Sequence, residues 1–212
     1  MKKYIDEPLT IYLNDLAAKK PTPGGGSAGA LAGALAAGLV SMVVNFSLGK
    51  DSPNEKRLKE ILNESENLRA KMSELVDEDV KVYEEVSSVF KLPKESDERK
   101  EKAQEALKKA AKVPLKIAQL GMEIMQLNRE LLPICNPRLI SDIGVSLSLA
   151  YSSVEIGALN VEINLSSIKD EQFNENYREK LASFIDTSRQ IKNEIYPEVE
   201  RRIRLASKPV NQ

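Results

Sequence analysis

The chain contains no histidine and only one cysteine, Cys135. Without imidazole, Ser-His-Asp and Cys-His catalysis are excluded within the chain, and with one thiol the commonest zinc ligand sets cannot be assembled. A single cysteine also excludes an internal disulfide and fits a reducing, cytoplasmic setting. Acid–base chemistry must therefore run on Asp, Glu, Lys or Tyr. A surplus of charge is missing too: 31 Lys plus Arg against 32 Asp plus Glu leave a net charge of −1. No basic stripe stands out that could follow a phosphate backbone, so nucleic acid is not an expected partner. The first residues, MKKYIDEPLT, carry acids and a proline where an export signal needs an apolar core, and no export is expected.

Charge is also missing locally. Between Lys20 and Lys50 there is no charged residue, a stretch of 29 residues that opens with PTPGGGS and continues as an Ala/Gly-rich run. Length alone would allow a membrane span. Ala and Gly gain little in lipid, however, and the run contains Asn45, so it reads as the central, surrounded helix of a soluble bundle. Gly29 and Gly33 stand four apart, as do Ala30, Ala34 and Gly38. Two strips of that helix are therefore nearly bare, and neighbouring backbones can approach closely.

The remaining punctuation predicts about six helices and no strand. A short amphipathic helix over about Asp6–Ala18 puts Leu9, Leu13, Leu16 and Ala17 on one face. The Ala/Gly helix follows, over about Ser27–Leu48, with Gly49 as its stop. A long helix runs from Pro53 to about Phe90, its apolar stripe interrupted by Ser65 and Asp79. The next runs from about Ser96 to Leu132, with a kink or junction expected at Pro114. After the loop PICNPRLIS come helices over about Ser141–Ile168 and Gln172–Ala206, the last with an interior Pro197. The fold class is all-α, residues 1–212 forming one domain. Apolar faces longer than 25 residues favour a homo-oligomer.

Three constellations could carry chemistry. The glycines of PTPGGGS leave backbone N–H groups open at a helix start, which suits an anion such as a phosphate or a glutamate carboxylate. Alternatively the stretch is a flexible connection with Ser27 as N-cap. Asp79 lies on an apolar stripe, where a carboxyl must be paired, hydrogen-bonded or facing a cleft; otherwise it is an edge residue of the run Asp77-Glu78-Asp79. On the fifth helix, Asp142, Ser146, Ser153, Asn160 and Asn164 fall within about 40° of one another, with Leu149 interrupting. Such a strip is either an interhelical hydrogen-bond seam or the wall of a site.

Several blocks occur in one order from about residue 9 to 168. They are Tyr12-Leu13…Leu16-Ala17…PTPGGGSAGALAGALAAGLVSMV, DEDVKVYEEV with KLPK, VPLKIA, and NPRLISDIGVSLSLAYSSVEIGALNVEINL. Together they resemble the formiminotetrahydrofolate cyclodeaminase family, which includes methenyltetrahydrofolate cyclohydrolases of the same fold. The resemblance implies an all-α homodimer of two helical subdomains joined by a long kinked helix. It implies a tetrahydrofolate derivative as substrate, with or without a polyglutamate tail, no covalently bound cofactor and no metal.

The implied reaction converts 5-formiminotetrahydrofolate to 5,10-methenyltetrahydrofolate with release of ammonia. The alternatives are the cyclohydrolase reaction, from 5,10-methenyl- to 10-formyltetrahydrofolate, and a non-catalytic folate-binding helical subunit. In 212 residues there is no room for a formiminotransferase domain, so that step is expected from a partner enzyme. Carried onto this chain, the resemblance makes Asp142 the ionised partner or base and Asp79 the acid. It lines the folate cleft with Pro23, Gly24, Gly25, Gly26 and Ser27, and adds Asn45, Lys94, Asn136, Ser141, Asn160 and Asn164 as further contacts. The chain departs from the family pattern at DSPNEK, which lacks basic and aromatic character, and at Tyr12, where phenylalanine is usual.

Overall fold

The structure is a computed structural model that describes residues 3–49 and 53–206. Asp51 and Ser52 of the DSPNEK stretch, and the tail from 207 onward, lie outside the described residues. The chain is helical throughout: α1 (Leu9–Ala17), α2 (Gly25–Ser47), α3 (Glu55–Phe90), α4 (Asp97–Leu131), α5 (Ile140–Leu165) and α6 (Glu171–Ala206). Short 3-10 turns occur at Tyr4–Asp6 and Pro137–Leu139, and no strand occurs among the described residues.

Helix α2 is the axis of the fold, packed by α3, α4 and α5. Its glycines make this possible. A Cβ on Gly29 would lie 2.7 Å from Ile156 Cγ2 of α5. One on Gly33 would lie 2.5 Å from Met72 Cε of α3 and 3.0 Å from Ser153 Oγ. By length and hydropathy α2 could cross a bilayer, yet its small faces are filled by neighbouring helices rather than left for lipid. Around it, Leu58, Ile61, Met72, Ile117, Ile124 and Leu147 are fully buried, each contributing about 1.5–3 kcal/mol of transfer free energy.

Several polar groups inside this core are paired across helices. The hydroxyl of Ser146 (α5) donates to the Ala36 carbonyl (α2) at 2.9 Å and accepts from Asn128 Nδ2 (α4), also at 2.9 Å. Ser65, expected as an anomaly on the α3 stripe, meets Ser41 of α2 at 2.8 Å. Helix α4 begins at Ser96, whose hydroxyl accepts the Arg99 N–H, and it passes through Pro114 as one helix. The junction expected at Pro114 is therefore not a break. Close packing explains why: a Cβ on Gly157 of α5 would lie 2.8 Å from the Pro114 carbonyl, so α5 braces the weakened turn.

The N-terminal helix corrects the expected pattern. It starts at Leu9, because Tyr4–Asp6 forms a separate turn whose Tyr4 N–H and Ile5 N–H donate to the Asp77 carboxylate at 2.6 and 3.3 Å. Leu9, Leu13 and Leu16, expected to face the core, are exposed, and Tyr12 alone is buried. A hydroxyl-bearing ring won that place because its oxygen finds a partner there.

Candidate active site

Tyr12, Ser27 and Asp79 meet where α1, α2 and α3 converge. Helix α2 starts at Gly25, and its N-cap Gly24 is extended and offers no side-chain oxygen. The missing cap acceptor comes from another helix: Asp79 Oδ2 of α3 accepts the Ser27 N–H at 2.9 Å. Ser27 is therefore not the N-cap. Its buried hydroxyl donates to the Val76 carbonyl at 2.9 Å and accepts from Tyr12 Oη at 3.2 Å. Three hydrogen bonds converge on this one residue, two clamping the start of α2 to α3 and the third tying it to α1.

The glycines fit the same geometry. A Cβ on Gly26 would run into the Asp79 carboxyl, 2.7 Å from its Cγ. On Gly25 it would touch the Asn160 amide at 3.6 Å, and on Gly24 it would meet nothing within 4 Å. Only at Gly26 does the carboxyl leave no room for a side chain; at Gly25 the amide stands at ordinary contact distance.

In front of them opens a cavity of about 330 Å³, within the range of small-molecule sites. Gly24–Gly26, Asp79, Asn160 and Asn164 form its polar side, and Val82, Tyr83, Val86 and Ala110 its apolar side. Among the lining side chains Asp79 is the one carboxyl, and none is a lysine or arginine. Burial pushes the Asp79 pKa above the ordinary carboxylate range, partly offset by the Ser27 N–H bond. A carboxyl so placed can give and take protons nearer neutrality than a solvated one.

The polar strip of α5 is in part each of the things it could have been, a hydrogen-bond seam at Ser146 and a wall at its far end, while the Ser153 hydroxyl is buried with no hydrogen-bond partner among the described residues. Ser146 and Ser153 are buried between helices, whereas Asn160 and Asn164 wall the cavity. Asp142 does neither. It lies half-buried in the first turn of α5, eighteen residues before Asn160, and at about 1.5 Å per residue is about 27 Å away along the helix. Within one chain, Asp142 and Asp79 are not brought together: residues on one helical strip share a face but not a place.

The other expected contacts divide the same way. Gly24, Gly25 and Gly26 reach the cavity, while Pro23 and Ser27 are buried behind it. Asn45 is exposed at the far end of α2, twenty residues or about 30 Å from Gly25. Asn136 is a structural tie: its N–H donates to Ser47 Oγ at 2.7 Å and its side-chain oxygen accepts the Arg138 N–H at 3.0 Å. Lys94 is exposed in the turn after α3. Ser141 borders a separate hollow between α5 and α6, with Gly144, Tyr196 and Ile203. The sequence reading missed Thr22, Tyr83 and Ile163, which also line the cavity. Tyr83 could have been found, since four residues past Asp79 on a helix is one turn along the same face.

Known proteins resemble this chain in sequence and in fold. The family model described as formiminotransferase-cyclodeaminase matches residues 8–183. The chain is 35% identical over 204 residues to a methenyltetrahydrofolate cyclohydrolase of Methylorubrum extorquens, covering 93% of this chain and 98% of that protein. It is 28% identical over 191 residues to a formimidoyltransferase-cyclodeaminase of Rattus norvegicus, covering 87% of this chain but only 35% of that longer protein. Among solved structures, formiminotetrahydrofolate cyclodeaminase of Thermotoga maritima aligns with a TM-score of 0.84 at 28% identity, over 96% of this chain and 98% of that one.

Proposed function

The chain belongs to the formiminotransferase-cyclodeaminase family of folate one-carbon enzymes, and from that premise we propose that it hydrolyses 5,10-methenyltetrahydrofolate to 10-formyltetrahydrofolate. The observation that carries the reading is Asp79, a half-buried carboxyl beside a glycine-walled cavity of about 330 Å³. The match over nearly the whole length of a cyclohydrolase supports this choice among the family's reactions.

The substrate's methenyl carbon carries a delocalised positive charge between N5 and N10. Ionised Asp79 takes a proton from water as oxygen bonds to the carbon and discharges the cation. The protonated carboxyl then returns its proton to N5 as the C–N5 bond breaks. The hydroxyl proton leaves to solvent, so a cation plus water becomes a neutral formyl product plus one proton. One carboxyl thus serves as base and then as acid, which is the task left to a chain without histidine. The apolar side, Val82, Tyr83 and Val86, suits the face of a pterin ring, and Gly24–Gly26 and Asn164 suit its polar edge.

A second reading is favoured by the similarity to the Thermotoga cyclodeaminase. There N10 attacks the formimino carbon and ammonia leaves, with Asp79 supplying the proton to the departing nitrogen. The two readings are separated by following methenyl absorbance and ammonia release with the two folates in parallel. Loss of the methenyl band without ammonia chemistry supports hydrolysis; folate binding with neither turnover would make the protein a non-catalytic folate-binding subunit.

The assembly we propose is a homodimer. Leu9, Leu13 and Leu16 on α1, and Leu159 and Ile163 on α5 at 73% and 67% exposure, leave apolar surface open, and Ile163 also lines the cavity. A cytoplasmic location suits the unpaired Cys135, and a formiminotransferase is the partner we propose for the deaminating reaction.

A further inference from the structure

Asn160 has one polar atom to spare, and its identity is fixed by chemistry. The side-chain nitrogen lies 2.8 Å from the Ile156 carbonyl. A carbonyl only accepts, so the NH₂ end must face the helix and the oxygen must face away from it. Asn164 is locked likewise, its Nδ2 donating to the Asn160 carbonyl at 2.8 Å. No described group donates to either side-chain oxygen, and both residues line the cavity. Asn160 closes on Gly25 while Asp79 closes on Gly26, and successive Cα atoms are about 3.8 Å apart. Asn164 stands one turn further along α5.

A water activated by one carboxylate has a second hydrogen. In a half-apolar cavity that hydrogen needs an acceptor, because leaving it unmade weakens the water's hold and lets its lone pair wander from the attack line. We propose that Asn160 holds the hydrolytic water: its Oδ1 accepts one hydrogen while Asp79 removes the other. This role rests on the hydrolysis proposed above. Asn160 takes no proton itself; the hydrogen it accepts stays on oxygen until the formyl carbonyl forms and then passes to solvent.

The test is steady-state hydrolysis of 5,10-methenyltetrahydrofolate by the full chain, wild type against Asn160→Leu and Asn160→Asp, with thermal melting of each. Leucine removes both the acceptor and the bond to the Ile156 carbonyl. Aspartate removes that bond but keeps the acceptor. For Asn160→Leu, kcat should fall about 100-fold while KM stays within about threefold, since orientation is lost and not folate binding. Asn160→Asp should recover at least about tenfold of that loss at alkaline pH, with its acid limb moved upward because two carboxylates then share the cavity. An unchanged kcat in Asn160→Leu overturns the proposal. Equal losses in the two variants, tracking equal drops in melting temperature, also overturn it and leave Asn160 a helix-bracing residue. A wild-type protein that does not hydrolyse the methenyl compound removes the proposed function and this role together; a hydrolysing wild type with an indifferent Asn160 removes this role alone.

Discussion

Burial of Asp79 raises its pKa, and the same burial makes it a burden on the fold. Because the folded protein holds this proton more tightly than the unfolded chain, the folded state loses ground as pH rises from the ordinary carboxylate value, about 3.9, to the raised one. Asp79→Asn keeps an oxygen for the Ser27 N–H without the charge. It should therefore melt at or above the wild-type temperature at pH 7, with the gap closing at acid pH, while kcat falls at least about 100-fold. The matching kinetic expectation is that wild-type activity is lost on the acid side with a midpoint above the ordinary carboxylate range, as a base that must be ionised requires. Calorimetry across pH checks the first; a pH–rate profile checks the second. Among the glycines, Gly26→Ala should cost at least about tenfold in activity because its methyl displaces the carboxyl. Gly25→Ala should fold at least as well as wild type, since its methyl makes only ordinary contact with Asn160 and alanine suits a helix by up to about 1 kcal/mol. Asp79 was legible as an anomaly on an apolar stripe. Its partner was not, because a cap donated from a different helix leaves no local pattern.

At the scale of the element, helix α2 was the most legible part of the chain: bare strips and missing charge both said that other helices would press on it. Gly33→Val should test that packing. Its branched side chain would meet Met72 and Ser153, and overpacking of this kind costs about 1–3 kcal/mol, a fall of roughly 2–4 °C in Tm for each kcal/mol in a domain of this size. Helix α5 was half legible. Periodicity found its polar strip but could not tell that Ser146 and Ser153 lie against α2 while Asn160 and Asn164 lie past its start, since that depends on where the neighbouring helix ends. Helix α1 was misread for a related reason. Its leucine face is real, but within one chain Tyr12 is the side chain that is covered.

For the whole molecule, that uncovered face becomes a prediction about assembly. Light scattering should give twice the 23.5 kDa chain mass, and Leu159→Asp, which puts a charge on the most exposed of these apolar residues, should shift the protein toward monomer. Asp142 belongs to this scale as well, because nothing within one chain brings it to the cavity; Asp142→Asn should keep turnover within about threefold, where Asp79→Asn does not. The most direct measurement of the central claim is the decay of 5,10-methenyltetrahydrofolate absorbance with purified wild-type and Asp79→Asn protein side by side. The account predicts rapid decay with the wild type and a rate near the uncatalysed background with Asp79→Asn at undiminished folate binding. Equal rates from the two proteins would contradict it.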